Sequence, residues 1–369
     1  MKNLSLVCIL FLYFIHAYTY AQVNEPILAK GLRQQTLLFS AEHQENISCY
    51  RIPALITATN GDLLAAIDER VPSCGDLKWS EDINIVLRRS SDNGKSWSEI
   101  EHIVDFPEGQ SASDPSFILD RESGEIFLFY NFMDLHKEKD VYYLHMLKSK
   151  DYGKSWSKPI DITAQISKPG WKNDFKFITS GRGSQAADGK LLHTLVNLDK
   201  GLHIFASDDH GKSWYLIDTP IKPADESKII TLDDGRWMIN SRVNKLGMRY
   251  VHISEDEGKS WSSSVDSTLI DPACNASIIP YTYTEDGIEK RCLIFSNLNE
   301  VDKRRNLWVR ISYDEGKSWT KGRCVYNGPA AYSSLSVLKN GDIGLFFEKD
   351  EYTQNMFVSF SFDWLRQEQ

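Results

Sequence analysis

The stretch Ser90-Ser-Asp-Asn-Gly-Lys-Ser-Trp97 occurs five times in this 369-residue chain, with changes only at its second and fourth positions. The other copies begin at Ser149, Ser207, Ser254 and Ser312, and successive copies of the aspartate lie 59, 58, 47 and 58 residues apart. Five matches of this length indicate an internal repeat, which decides the architecture before any single element is assigned.

Each copy has the chemistry of a tight β-hairpin corner. An apolar run such as 83–87 precedes it, the aspartate can accept hydrogen bonds from the turn's own backbone, and glycine permits positive φ. The tryptophan can bury its ring beneath the turn. A calcium loop would need glutamate twelve positions along, and none of the copies has one. We therefore predict five structural turns without a metal.

The length of the repeat predicts the fold class. About 58 residues suit a four-stranded sheet with its connections, and such sheets arranged radially form a β-propeller. The chain after residue 21 holds six periods of this length. We predict an all-β, six-bladed β-propeller that forms a single domain over residues 22–369.

Composition excludes several classes of protein. A content of 41% hydrophobic and 12% aromatic residues is too high for a disordered chain. A net charge of -9 argues against nucleic acid as a partner.

Residues 1–21 have the pattern of a signal peptide. Lys2 precedes an apolar run over 4–17, and Thr19 and Ala21 provide the small residues of a cleavage site. The alternative is an uncleaved N-terminal anchor. No later run is long enough to span a membrane, so we expect an exported chain with no membrane span after cleavage.

Five cysteines follow residue 21, an odd number that cannot be fully paired within one chain. Cys274 and Cys292 flank a turn-rich stretch and are the predicted bridge, and buried free thiols are the alternative. No spacing of cysteine or histidine indicates a metal.

Three arginines stand within or beside apolar, strand-like sequence: Arg51, Arg242 and Arg304. A single such arginine is usually a satisfied surface or edge residue. Three at the same stage of different blades predict guanidinium groups gathered around the propeller axis. That arrangement suits a carboxylate or a phosphate.

Tyr50-Arg-Ile-Pro53 together with the repeated turns resembles the exo-α-sialidase (neuraminidase) family, in its bacterial and animal lysosomal type. The resemblance extends from Tyr50 past Tyr332. It implies a six-bladed propeller, a monomeric glycoside hydrolase without a cofactor. Its partners would be sialylated glycoproteins, glycolipids or oligosaccharides, from which it removes terminal α-linked sialic acid.

The resemblance also implies roles for eight residues. Arg51, Arg242 and Arg304 would bind the substrate carboxylate, with Arg305 as the alternative third member. Tyr332 would be the nucleophile, Glu226 its activating base and Asp76 the acid/base, whereas Arg70 and Asp114 would line the glycerol and N-acetyl subsites. Arg182 is unexpected, since the family has small residues in that segment.

The implied chemistry explains these residue types. Sialic acid carries a carboxylate on its anomeric carbon, so a neutral tyrosine nucleophile avoids the repulsion that an acidic one would meet. The phenol needs a base beside it. As general acid, Asp76 is expected to have a raised pKa through partial burial and nearby carboxylates. Two other functions remain open: a trans-sialidase or intramolecular variant, and a non-catalytic sialoglycan-binding propeller.

Overall fold

The computed structural model describes residues 26–367, so the predicted signal peptide lies outside the described residues. Within this range the chain forms 25 strands and four short helical segments. The first nine strands are β1 Gln34–Ser40, β2 Cys49–Thr57, β3 Leu63–Val71, β4 Asp82–Ser90, β5 Glu101–Val104, β6 Gln110–Leu119, β7 Ile126–Asp134, β8 Tyr143–Ser149 and β9 Ile160–Asp161. The next eight are β10 Lys176–Ile178, β11 Gly181–Arg182, β12 Ser184–Gln185, β13 Leu191–Asn197, β14 Gly201–Ser207, β15 Tyr215–Ile221, β16 Ser227–Thr231 and β17 Trp237–Ser241. The last eight are β18 Met248–Ser254, β19 Ser262–Ile270, β20 Ser277–Glu285, β21 Ile288–Leu298, β22 Arg305–Ser312, β23 Arg323–Val337, β24 Ile343–Lys349 and β25 Gln354–Phe360. The helical segments are α1 Thr163–Ile166, α2 Phe362–Arg366 and the 3-10 turns Leu77–Trp79 and Pro169–Trp171.

The strands form five hydrogen-bonded sheets in a propeller arrangement. Two sheets have four strands, β2-β3-β4-β5 and β16-β17-β18-β19. Two have five, β11-β6-β7-β8-β9 and β10-β13-β14-β15 with β12 joined to β13. The fifth has seven, in the order β1-β25-β24-β23-β22-β21-β20. The all-β prediction is confirmed.

The number of separate sheets differs from the six that the sequence predicts. Four sheets have the size of one blade, and the seven-stranded sheet is larger because β23 is 15 residues long. The first part of β23 pairs with β22 and its second part, from Ala330 to Val337, pairs with β24. A strand that continues from one sheet into the next leaves no turn signal, so the spacing of the repeats does not reveal it.

The ring closes through its ends. β1 pairs antiparallel with β25, so the N-terminal strand completes the sheet built by the C-terminal strands. The first strands of neighbouring sheets approach one another: β2 contacts β6 and β23, and β16 contacts β20. The residues at the ends of these inner strands therefore converge near the axis.

The repeated turns have the local bonding that their sequence predicts. Asp92 accepts hydrogen bonds from the backbone nitrogen of Ser96 at 2.9 Å and from its hydroxyl at 2.6 Å. Gly94 has φ of 83°, and a Cβ there would lie 2.2 Å from the ring of Phe357. Glycine is thus required for both backbone conformation and space. The ring of Trp97 packs against Phe357 with centroids 5.1 Å apart.

The predicted bridge between Cys274 and Cys292 is wrong. Both are buried free thiols, which was the alternative, and the disulfide joins Cys49 to Cys74. Cys49 pairs with Arg70 across the β2–β3 hairpin, and this pairing brings the loop after β3 back to the start of β2. The bridge thus depends on strand register, which cysteine spacing does not report.

In the range 26–367 no group of three or more His, Cys, Asp or Glu side chains is placed to hold a metal ion. No helix of this range is long and apolar enough to cross a bilayer.

Candidate active site

Tyr332, Glu226 and Arg242 form one hydrogen-bonded cluster. The Tyr332 hydroxyl donates to Oε2 of Glu226 at 2.7 Å, and Nη1 of Arg242 donates to the same oxygen. Nη1 of Arg242 also lies 3.2 Å from the Tyr332 hydroxyl oxygen. Tyr332 is 7% exposed and Glu226 5%. The cluster therefore places a phenol against a carboxylate in a largely dry environment.

Backbone pairing holds the two charged members of this cluster together. Glu226 precedes β16 and Arg242 follows β17, and the hairpin continues past both strands through a hydrogen bond from the Arg242 nitrogen to the Glu226 carbonyl, at 3.0 Å. The hairpin thus makes spatial neighbours of Glu226 and Arg242, which are sixteen positions apart in the sequence. Burial, and next the charge of Glu226, raise the pKa of Tyr332 well above its usual value, against the charges of Arg242 and Arg304.

Arg51 and Arg304 complete the cationic side of the site. The guanidinium carbon of Arg51 lies 5.7 Å from the Tyr332 ring centroid, and that of Arg304 lies 5.5 Å from it. Tyr352 connects the two, because Arg51 stacks on its ring at 3.8 Å and Arg304 donates to its hydroxyl at 3.2 Å. The structure therefore brings all three predicted arginines around Tyr332.

The Arg304–Arg305 doublet divides into one inward and one outward side chain. Arg305 is 47% exposed, donates to the carbonyl of Asn327 and has the carboxylate of Glu300 at 4.0 Å. Arg305 is the first residue of β22, and Arg304 lies in the bend just before it, where the backbone turns toward the site. Arg304 is thus the residue that faces Tyr332.

Glu348 supports the site and was missed by the sequence analysis. Its carboxylate is fully buried and accepts from Nε of Arg51 at 2.9 Å and from the backbone nitrogen of Tyr332 at 2.9 Å. It therefore positions a guanidinium and the phenol at once. A signal was present in the sequence, since Glu348 is a charged residue directly after the strand-like run 343–347, as Arg51 is within another such run.

Asp76 lies in the loop after β3, which we call the acid loop, residues 72–80. Its side chain is 64% exposed and bonds Nη1 of Arg70 at 2.8 Å, while Arg70 is buried and also pairs with Asp68 at 2.9 Å. Arg70 thus orients Asp76, and its expected place in a subsite stays a prediction. The disulfide fastens this loop two residues before Asp76 to the strand that carries Arg51.

The expected raised pKa of Asp76 is wrong. Burial raises the pKa, but the charge and hydrogen bond of Arg70, together with the charges of Arg51 and Arg304, lower it below its usual value. Sequence suggested nearby carboxylates, whereas the folded chain surrounds Asp76 with guanidinium groups.

Asp114 faces the same cavity from β6. Its Oδ2 accepts from Asn131 at 2.9 Å, and its backbone nitrogen donates to Asp68 at 3.0 Å. Burial first, and then the negative charge of Asp68, raise the pKa of Asp114 well above its usual value. Asp114 is thus a partly buried acid whose surroundings favour its neutral form.

The cavity between these groups has a volume of about 180 Å³ and two unlike sides. One side is polar, with Asp76, Asp114, Glu226, Arg242 and Tyr332. The other side is apolar and was not predicted; it consists of Leu77, Trp79, Tyr142, Phe175, Phe177 and Leu198. A few convergent polar groups beside an apolar wall are typical of a small-molecule site.

Comparison with known proteins agrees with this geometry. A family profile described as "BNR repeat-like domain" matches residues 39–345. A sialidase of Micromonospora viridifaciens is 33% identical over 352 residues, covering 87% of this chain and 53% of the relative. A sialidase of Bacteroides fragilis is 31% identical over 333 residues, covering 82% of this chain and 60% of the relative.

Among solved structures, the Hadza microbial sialidase Hz136 superposes with a TM-score of 0.75 at 26% identity, covering 86% of this chain and 66% of that one. The chain thus spans between half and two thirds of the length of these relatives. It belongs to the family of BNR repeat-like domains.

Proposed function

We propose that this protein is a retaining exo-α-sialidase that hydrolyses terminal α-linked sialic acid from glycoproteins, glycolipids or oligosaccharides. One observation carries the proposal: a buried tyrosine, hydrogen-bonded to a glutamate, lies among three arginines and opposite an exposed aspartate. Arginines suit the substrate carboxylate through paired, charge-assisted hydrogen bonds. An uncharged nucleophile suits an anomeric carbon that bears a carboxylate.

In the first step the Tyr332 oxygen attacks the anomeric carbon while Glu226 takes the phenol proton. This transfer requires the observed 2.7 Å contact, because burial holds Tyr332 in its protonated form. Asp76 gives its proton to the departing glycosidic oxygen as that bond breaks. In the second step Asp76 accepts a proton from water, the water oxygen displaces Tyr332, and Glu226 returns the proton to the phenol.

Asp76 must be protonated when the glycosidic bond breaks, although in the free protein its pKa is lowered by guanidinium groups. Binding of the substrate counteracts this lowering of the pKa. Its carboxylate pairs with Arg51 and Arg304 and offsets their charge, so the pKa of Asp76 rises when substrate binds. Acid catalysis is thereby coupled to occupation of the arginine site.

The proposal extends to the whole chain. Residues 1–21 are a signal peptide that directs export, and residues 22–369 are a single, monomeric catalytic propeller. Counting the seven-stranded sheet as two four-stranded meanders that share β23 yields the six blades that the repeat predicts.

The test is turnover of a fluorogenic α-sialoside by the wild type, Tyr332→Phe and Tyr313→Phe. Tyr313 is 47% exposed and provides the matched control. Removal of the nucleophile should lower kcat by roughly a thousandfold or more, and the control should be unchanged. The first product should be the α-anomer of free sialic acid, also in the presence of excess lactose. Equal turnover by Tyr332→Phe would overturn the mechanism, a sialyl-lactose product would indicate a transferase, and binding without turnover a glycan-binding propeller.

A further inference from the structure

A second cavity lies at the opposite ends of the inner strands. Asp114, in the first half of β6, and Glu226, just before β16, line the active-site cavity, whereas Leu119 and Thr231, which end the same two strands, line the second. Its volume is about 670 Å³, a size typical of small-molecule sites. The two cavities therefore open toward different faces of the propeller.

Arg182 reaches this second cavity from the axis. It belongs to β11, which pairs in parallel with β6 and also contacts β2 and β23, so it lies among inner strands of three sheets. Within residues 26–367 its hydrogen bond runs from Nη1 to the carbonyl of Leu335, at 3.2 Å. No carboxylate of residues 26–367 lies within 4.0 Å of it. Most of its donors are left without a protein acceptor.

Two fully buried arginines of the described chain, Arg70 and Arg249, have carboxylate partners. Arg70 pairs with Asp68 and Asp76, and Arg249 has Asp271 at 3.4 Å and donates to Asn240 at 2.8 Å. A charge removed from water ordinarily requires such partners. Arg182 is partly buried and lines the cavity, and its charge there has no carboxylate partner among the described residues.

Lys228, a neighbour of Arg182, shows why missing partners matter more for an arginine than for a lysine. Lys228 is 2% exposed, donates to Asn275 at 2.6 Å and lies against Gly181, the neighbour of Arg182. Burial lowers the pKa of Lys228 to about 7, so it can become neutral near physiological pH. Burial lowers the pKa of Arg182 only to about 10, so its charge remains. A retained charge requires a counter-ion or water.

Arg121 adds a second guanidinium to the cavity. Its Nη2 donates to the carbonyl of Gln185 at 3.0 Å, and no carboxylate of the described chain pairs with it. Four acidic residues also line the cavity, and each has a partner of its own; the partner of Asp233 is Arg291, a third arginine of the cavity. Asp233 pairs with Arg291, Asp234 with Arg236, Glu257 with Lys190, and Asp188 accepts from the Lys190 backbone.

We propose that this cavity binds a small molecule through an oxyanion, a carboxylate or a phosphate, held between the guanidinium groups of Arg182 and Arg121. Planar guanidinium groups recognise both oxyanions with paired hydrogen bonds. The site is separate from the active site and does not rest on the proposed function.

The test is calorimetric titration with three sugars of one scaffold: glucose 6-phosphate, glucuronate and neutral glucose. The wild type should bind one or both of the anionic sugars with a stoichiometry of one at this site, and it should not bind glucose. The two anionic arms show which oxyanion is preferred. Arg182→Met should weaken binding by at least about tenfold, because charge-assisted hydrogen bonds are lost.

Arg304→Met is the matched control, since it removes an arginine from the active site. Retained binding in Arg304→Met with loss in Arg182→Met supports the second site. The reverse pattern assigns the anion to the active site and overturns the proposal, as does absence of binding to the wild type. If Arg182→Met does not fold, as judged by circular dichroism, the exposed Arg121→Met replaces it, and unchanged binding then overturns the proposal.

Discussion

The repeated turns and the candidate active site use aspartate in opposite ways. Hydrogen bonds from Ser96 lower the pKa of Asp92 to about 2, and those from Ser155 do the same for Asp151. In the site, burial raises the pKa of Asp114 well above its usual value. Each turn aspartate finds its partners within four residues, whereas the neighbours of Asp114 come from other strands. The difference shows that local hydrogen bonds set the charge of the turn aspartates, whereas burial and the charges of residues from other strands set that of the site aspartates.

Asp76→Asn should have the largest effect, because it removes the general acid of the candidate active site. With a poor leaving group, loss of the acid should lower kcat about 10²- to 10⁴-fold, and with an activated aryl sialoside the loss should be far smaller. Because the pKa of Asp76 is lowered, kcat/KM of the wild type should fall as pH rises, and this fall should be absent in the variant. Asp140→Asn, at a 60% exposed acid that faces Lys78, is the control. Equal losses with both leaving groups would contradict the assignment of Asp76.

Arg304→Met and Arg305→Met test whether the site depends on the direction of two neighbouring side chains at the start of β22. The inward Arg304 should cost about 100-fold in kcat/KM, since truncating a charge that pairs with a desolvated carboxylate typically costs about 2–5 kcal/mol. The outward Arg305 should leave kcat/KM nearly unchanged. The measurement is steady-state kinetics of both variants side by side. A larger loss for Arg305→Met would reverse the assignment.

Cys74→Ser removes the Cys49–Cys74 disulfide, which contributes both to the stability of the scaffold and to the position of the acid loop. The disulfide closes a loop across a sequence separation of 25, so its loss should lower the free energy of unfolding by about 3 kcal/mol. It also frees the acid loop, so kcat should fall more than KM changes. Denaturant unfolding and kinetics of Cys74→Ser beside Cys324→Ser, a free thiol, provide the check. Unfolding and kinetics equal to those of Cys324→Ser would remove any role of the bridge.

Asp92→Ala should have the smallest effect, and it should change the stability of a repeated turn without changing the active site. Losing the hydrogen bonds of one charged acceptor should cost about 1–2 kcal/mol of unfolding free energy without altering kcat. The folded-state pKa of about 2 lies below the usual value near 3.9, so this stabilisation is present above about pH 4 and is lost as pH falls toward 2. The exposed Glu99→Ala is the control for denaturant unfolding at pH 7 and pH 2.5. A loss of kcat in Asp92→Ala would show that the two regions are coupled.

The sequence by itself determined the features whose causes lie close together in the chain. Eight-residue repeats specified the turns, their spacing specified an all-β propeller, and charges within apolar strands pointed to Arg51, Arg242 and Arg304. The resemblance added Tyr332, Glu226 and Asp76, which the structure brings to one cavity.

Only the tertiary structure decided features that depend on register and on burial by remote strands. The merging of two meanders along β23, the Cys49–Cys74 bridge, the support from Glu348 and the apolar wall beside the site all arise in this way. So does the lowered pKa of Asp76, because the guanidinium groups that favour its ionised form come from positions as remote as Arg51 and Arg304. The field at a residue sums over neighbours in space, and the folded chain selects those neighbours from distant sequence.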